Sequence, residues 1–341
     1  MVSDAQIDRS REIQRRTGRT FYLATRFLPR QKREPTHVLY AFFRVADEIV
    51  DGDELSPAEQ RNQLEEIRRQ LFGQTEGRPE VAAFDDMRRL HDLKDEDVRS
   101  FLDSMEMDVS RQRYETYEQL EEYMDGSAAA VGRMMTAVMG PEDHEKAVEH
   151  ASALGEAFQM TNFLRDVRED AEELGRVYIP SETLETHGAD VEDVLELDDS
   201  PAVRRAVADE IERAEELYRE GVKGLNLLPE GCRFPVLLAA VLYSDYHRQI
   251  RKLEHAVVRE RPELSSARKA YLCIRTWFEW RRTGRDAEDA FYRASCVSRA
   301  PRPVNHDEPK NEHEVRSCPV SLLFWLTNSD LRRKVASLLR R

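Results

Sequence analysis

Apolar residues recur at three- and four-residue spacing along almost the whole chain. That periodicity restricts the fold more than any motif does, because only a helix puts positions i, i+3, i+4 and i+7 on one face. Alternating strand-type runs flanked by turn pairs are nearly absent, so the sequence predicts an all-α architecture with glycine and proline marking the breaks. Pro29 and Pro35 bracket a turn between an N-terminal helix and a helix over 36–50, which ends at Asp51-Gly52-Asp53. Pro57 opens the next, and further helices are expected over 57–72, 79–90, 96–110, 116–139, 144–172, 202–225, 235–260 and 266–281. That set suits one bundle.

With 341 residues and 40% hydrophobic content, the chain can bury a substantial core. The bundle is expected over 1–298. A polar, proline-rich linker with Pro301, Pro303 and Pro309 follows over 299–319, then an amphipathic helix over 320–341 that joins Leu322-Leu323-Phe324-Trp325-Leu326 to Arg332-Arg333-Lys334. The balance of 66 acidic to 52 basic residues, a net charge of −14, argues against general nucleic-acid affinity. It suits a protein that binds cations, and it would also fit a salt-rich cytoplasm. Cys232, Cys273, Cys296 and Cys318 are scattered, with no C-x-x-C pair, so neither a zinc site nor a disulfide framework is indicated and a reducing cytoplasm is the expected setting. The longest apolar stretches, 236–242 and 320–326, fall short of the ~20 residues of a membrane span, which leaves peripheral contact at the inner face as the expected mode. Oligomeric state is not legible.

Two carboxylate faces carry the chemistry. Over 40–51, the apolar Leu39, Phe42, Phe43, Ala46, Ile49 and Val50 form one stripe, while Tyr40, Arg44, Asp47 and Asp51 form the next. Two carboxylates one turn apart repel, and a divalent cation relieves that repulsion. Mg²⁺, with Mn²⁺ as an alternative, prefers carboxylate, water and phosphate oxygens over imidazole or thiolate. A lone D-x-x-x-D is usually a solvated helix face. A second stripe raises its weight: Gln159, Asn162, Asp166 and Asp170 are spaced 3, 4 and 4 along a helix whose other side is apolar. Amide side chains there can hold a diphosphate or a metal-bound water without adding charge to an anionic cluster. Between the two lies Ser127-Ala128-Ala129-Ala130-Val131-Gly132, whose small side chains mean close helix packing or a tunnel floor for a hydrocarbon tail, lined by Met134, Met135 and Met139.

Together these stretches resemble the squalene and phytoene synthase family over roughly residues 10–295. Phe21-Tyr22-Leu23-Ala24 before Leu28-Pro29 resembles its opening, 47–51 its first aspartate-rich motif and 159–170 its second. Gly175-Arg176-Val177-Tyr178-Ile179-Pro180 resembles the segment after the second motif in the phytoene-type branch. Thr20 stands where the family often has serine, and Ala129-Ala130 where it often has glycine-threonine. The resemblance implies an α-bundle with a central cavity, Mg²⁺ held by Asp47, Asp51, Asn162, Asp166 and Asp170, and prenyl diphosphates as substrates. Arg19, Thr20, Phe21, Tyr40, Arg44, Gln159, Asn162, Arg165, Ser127 and Ala130 are then expected to contact substrate. Tyr22 and Tyr246 are assigned to catalysis, their ring faces stabilising a carbocation by ~0.5–2 kcal/mol each. His37 and His91 are read as ordinary helix residues.

The reaction so implied is head-to-head condensation of two geranylgeranyl diphosphates through a cyclopropyl intermediate, without NADPH. The alternatives are a squalene- or dehydrosqualene-type enzyme acting on farnesyl diphosphate, and a catalytically inactive scaffold. Four intact aspartates speak against the scaffold, because a binding module has no reason to keep carboxylates where they repel.

Overall fold

The computed structural model describes residues 2–52, 55–73 and 77–301. The proline-rich stretch beyond Pro301 and the terminal helix expected over 320–341 lie outside them. Helices form the architecture: α1 (Asp4–Thr17), α2 (Arg19–Thr25), α3 (Arg30–Asp51), α4 (Pro57–Leu71), α5 (Pro79–Leu90), α6 (Asp95–Asp108), α7 (Tyr117–Met124), α8 (Ala130–Met139), α9 (His144–Glu169), α10 (Ser181–Thr186), α11 (Val191–Leu195), α12 (Pro201–Gly221), α13 (Glu230–Lys252), α14 (Ser266–Arg282) and α15 (Ala287–Ala294). Among the described residues there is no strand, only an isolated bridge from Arg113 to Val177. Local chemistry sets several starts. Ser56 and Glu59 close a capping box on α4, with proline at its first position, and the side chains of Ser200 and Ser265 cap α12 and α14.

The helix breaks differ from the expected ones at instructive places. Pro35 and Pro235 start nothing; each sits inside a helix already under way, α3 from Arg30 and α13 from Glu230. A proline this close to the helix start removes one backbone hydrogen bond, and the remaining ladder and the buried face hold the helix. The helix expected over 116–139 is broken by a π-helical turn at Asp125–Ala129, and α9 is followed by another at Asp170–Leu174. Gly175, in the left-handed conformation, closes the second. The helix expected to run to 260 stops at Lys252, and α10, α11 and α15 were not anticipated.

Three apolar clusters make the core. One joins α3, α4, α5, α6 and α8, with Phe42 stacked on Phe84 at 3.8 Å. The second joins α7, α9 and α12 to the segments after α9 and α13, and stacks Phe163 on Tyr178 at 4.0 Å. The third gathers α2, α9, α12, α13, α14 and α15. Helix α9 is the hub, packing on α8, α12 and α13. Its approach to α8 and the π-helical turn before it needs glycine: a Cβ on Gly132 would lie 2.4 Å from the Ala151 carbonyl, and one on Gly155 would lie 2.5 Å from that of Ala128.

Candidate active site

Helices α3 and α9 carry the two carboxylate pairs, and the fold brings their C-terminal ends together. The carboxyl of Asp170 is pushed well above the ordinary range by burial, then by the charges of Asp166 on its own helix and Asp51 on the other. Asp47 is pushed up to about 7 by burial and by Asp51, against the pull of Arg44. Its side chain keeps 37% of its surface accessible.

Arginines hold three of these carboxylates. Arg44 bonds Asp47 and lies 3.2 Å from Glu48. Arg165 grips Asp166 through its Nε at 2.8 Å, and Arg261 reaches the same carboxylate at 2.7 Å. Arg176 lies 2.8 Å from Asp51 and also donates to the Val50 and Asp108 carbonyls at 3.0 and 3.1 Å, tying the segment after α9 to the ends of α3 and α6. Asp108 is a fifth carboxyl in this field, pushed up to about 6 by burial against the pull of Arg176, with Tyr123 donating to it at 2.7 Å.

The residues fit divalent cations shared with a diphosphate, and do not fit a closed cage. Among the described residues no three acidic, histidine or cysteine side chains converge on one point. Mg²⁺ commonly takes one or two carboxylates plus substrate phosphates and water, so a site of this kind needs no protein cage. Two observations point the same way: carboxyls raised by burial and then by one another's charge, and the buried Oδ1 of Asn162, which has no hydrogen-bond partner while its amide donates to Gln159 at 3.4 Å. Asp47, Asp51, Asn162, Asp166 and Asp170 would hold the metal.

A cationic corner adjoins them. Lys269, on the first turn of α14, has its pKa lowered by burial and by the charges of Arg19 and Arg165. The Arg165 guanidinium lies 5.1 Å from the Tyr246 ring. Tyr243 faces Tyr246 at 6.0 Å and stacks on Phe21 at 4.3 Å, while Phe158 closes on Phe21 edgewise at 5.3 Å. Tyr40 is bonded to Thr17 at 3.3 Å, Thr20 is buried, and Tyr22 lies 5.9 Å from the ring of His37. His37 is neutral, pushed down to about 4 by burial and by Arg33, with its Nδ1 2.5 Å from the Gln14 side chain.

Next to this cluster an apolar cavity of about 1050 Å³, open mouth included, runs between α2, α3, α8, α9 and α13. Tyr40, Phe43 and Phe158 line it close to the two motifs, and Met139, Ala147 and Leu228 line it remotely. From Phe158 back to Ala147 the α9 wall spans about 16 Å. The small-residue segment contributes Val131 and Gly132 to the lining, with Met135 and Met139; Ser127, Ala130 and Met134 are not part of it. Ala130 and Met134 instead pack in the core with α3 and α6, and the Ser127 hydroxyl is buried without a partner.

Sequence reasoning did not single out Asp108, Tyr243, Phe158, Arg261 or Lys269, and gave Arg176 no individual role. Arg176 stood in a segment already quoted for its resemblance. Asp108 and Lys269 stand at helix ends and Arg261 in a loop that no local spacing marks, whereas Tyr243 and Phe158 lie within α13 and α9, one turn before Tyr246 and one residue before Gln159.

Comparison with known proteins agrees with this picture. The family model described as squalene/phytoene synthase matches residues 14–268. The chain is 31% identical over 282 residues to a 15-cis-phytoene synthase of Synechocystis, covering 78% of this chain and 83% of that protein. It is 34% identical over 232 residues to a presqualene diphosphate synthase of Rhodopseudomonas palustris, covering 67% and 82%. Among solved structures it superposes on a dehydrosqualene synthase with a TM-score of 0.72 at 27% identity, covering 79% and 94%, and on a squalene synthase of Alicyclobacillus acidocaldarius with a TM-score of 0.66 at 27% identity, covering 74% and 95%. The chain belongs to the squalene/phytoene synthase family, a family of prenyltransferases with the all-α isoprenoid synthase fold.

Proposed function

We propose that this protein is a phytoene synthase, joining two geranylgeranyl diphosphates head to head with release of diphosphate. The observation that carries the reading is the juxtaposition of two opposed aspartate pairs with a long apolar cavity, so that a diphosphate held by the first leaves its tail in the second. Relatives named phytoene synthase at 31–32% identity support the C20 choice.

Mg²⁺ bound to the aspartates and Asn162 would neutralise the leaving diphosphate and act as a Lewis acid. The chain's residues do the rest. Arg44, Arg165 and Arg261 pair with the site's carboxylates and are placed to exchange those partners for diphosphate oxygens. Arg19 and Lys269 add positive charge on the α14 side. Phe21, Phe158, Tyr243 and Tyr246 put ring faces beside the diphosphate corner, where they stabilise positive charge without a nucleophile that would quench it. The apolar lining excludes water, which would capture a cation as an alcohol.

A second reading is favoured by the presqualene diphosphate synthase relative and the dehydrosqualene synthase structure: condensation of two farnesyl diphosphates. The test is product mass after incubation with Mg²⁺ and C15 or C20 diphosphate, with and without NADPH. A C40 hydrocarbon from C20 substrate without reductant is expected. A strictly NADPH-dependent C30 product would replace this reading with the second.

A further inference from the structure

Head-to-head condensation without a reductant ends with the loss of a proton. Once the cyclopropyl diphosphate ionises and rearranges, the allylic cation becomes a neutral hydrocarbon only when a carbon of the new bond gives up a hydrogen, and the cavity lining there is mostly apolar. The group that takes the proton must stand where the cavity meets the diphosphate corner, and it must pass the proton on. The tyrosines near that junction are told apart by their surroundings.

Tyr40 lines the cavity, but its hydroxyl hydrogen is committed: Thr17 donates its own to the Ile13 carbonyl at 2.9 Å, so the 3.3 Å bond between the two hydroxyls is donated by Tyr40. Tyr22 faces the His37 ring at 5.9 Å. Tyr246 presents its ring to the Arg165 guanidinium at 5.1 Å. Tyr243 differs from these. It is buried on α13, stacked on Phe21 at 4.3 Å and 5.1 Å from Phe158, and both of those rings line the cavity. Its hydroxyl is hydrogen-bonded to Arg165, the residue that grips Asp166. A guanidinium has no acceptor, so the Tyr243 oxygen receives that bond and its own hydrogen remains to be given. Burial raises its pKa against the pull of Arg165, so the group stays a neutral phenol with that hydrogen in place.

We propose that Tyr243 is a catalytic residue whose hydroxyl relays the final proton from the cation to the released diphosphate. The C–H bond breaks and its electron pair forms the new C=C bond, while the proton joins the Tyr243 oxygen. The hydrogen already on that oxygen passes to a diphosphate oxygen held at Arg165, so the phenol ends as it began and no oxidant or reductant is needed. A neutral hydroxyl suffices as acceptor, because a hydrogen beside a carbocation is strongly acidic. Arg165 serves both ends of the relay. Its bond to the Tyr243 oxygen makes that oxygen a poor nucleophile toward the cation, and its charge holds the anion to which the proton goes. The inference rests on the prenyl-diphosphate reading and needs a reaction that ends in proton loss, whichever chain length is used.

The test is the partition of product in Tyr243→Phe, which keeps the ring and removes only the hydroxyl. The full chain receives C15 or C20 diphosphate and Mg²⁺ without NADPH, and the hydrocarbon formed per substrate consumed is read by mass. That ratio does not depend on how much of the protein is folded. In Tyr243→Phe it falls by about 10²-fold, the usual contribution of one acid–base group, as cyclopropyl diphosphate and water-captured alcohols take the hydrocarbon's place. Tyr40→Phe, whose lost hydroxyl served Thr17, keeps the wild-type ratio. An unchanged ratio in Tyr243→Phe, or an equal fall in Tyr40→Phe, would overturn the relay and leave the prenyltransferase reading intact. A wild type that forms hydrocarbon only with NADPH would overturn the relay together with the phytoene reading, since hydride then takes the place of proton loss.

Discussion

Asp47, Asp51, Asp108 and Asp170 share one electrostatic field, and in the absence of metal the protein bears the cost of holding their charges together. Because Asp47 and Asp108 have folded-state pKa values of about 7 and about 6, these two carboxyls hold more protons in the folded chain than in the unfolded one from about pH 4 to pH 7, while His37, pushed down to about 4, holds fewer. The metal-free stability that these two carboxyls contribute therefore falls as pH rises through that window. In chelator the wild type should lose more Tm between pH 5.5 and pH 7.5 than Asp47→Asn does, with the difference shrinking on addition of Mg²⁺. Asp47→Asn should raise the metal-free Tm at pH 7.5 while lowering turnover by a factor of 10² or more, in keeping with a lost metal ligand. Arg176 makes the opposite case. Only 7% exposed, it neutralises the Asp51 field and satisfies two carbonyls, so Arg176→Ala should cost about 3–5 kcal/mol by leaving buried acids uncompensated. Denaturant melts of the metal-free protein would check this; wild-type stability would contradict the bridging role.

At the scale of elements, α9 explains why so much was legible and where legibility stopped. Its polar stripe of Gln159, Asn162, Asp166 and Asp170 is periodic, so spacing alone places those side chains on one face. The same holds for Arg44, Asp47 and Asp51 on α3. What spacing cannot give is the partner across a helix end: Asp108, Arg176 and Lys269 arrive through turns and tertiary packing. The π-helical turns after α7 and α9 were likewise hidden, because a one-residue insertion in the hydrogen-bond ladder leaves the hydrophobic pattern nearly unchanged. Pro35 and Pro235 misled in the other direction, since a proline early in a helix reads locally as a start. The back of α9 is fixed by a buried network in which Thr161 meets Tyr218 at 3.1 Å and His247 at 3.0 Å. Burial would raise the nearby Glu215, but the His247 and Arg251 contacts pull it down to about 2. At the remote end of the cavity, Ala147→Phe should shorten the tunnel. C20 turnover should fall at least tenfold with C15 turnover largely kept, measured by product yield from each substrate. Equal loss on both would mean that the residue only supports packing.

For the molecule as a whole, the apolar clusters leave a hollow beside the helices that carry the carboxylates, a layout in which one rigid bundle can hold a charged head and an oily tail. The core supplies that rigidity: Phe42, fully buried against Phe84, should cost about 3–5 kcal/mol on truncation to alanine, read as a shift in the denaturant midpoint.

The whole account needs α3 and α9 to act on one pyrophosphate group together. Calorimetric titration of inorganic diphosphate into the full-length protein, with Mg²⁺ and with chelator, tests that directly for the wild type, Asp51→Asn and Asp170→Asn. Binding that requires Mg²⁺ and weakens by about tenfold or more in both variants is the predicted result, since each removes a charged ligand worth at least ~1.4 kcal/mol. Equal affinity in chelator, or a loss in only one of the two variants, would contradict it.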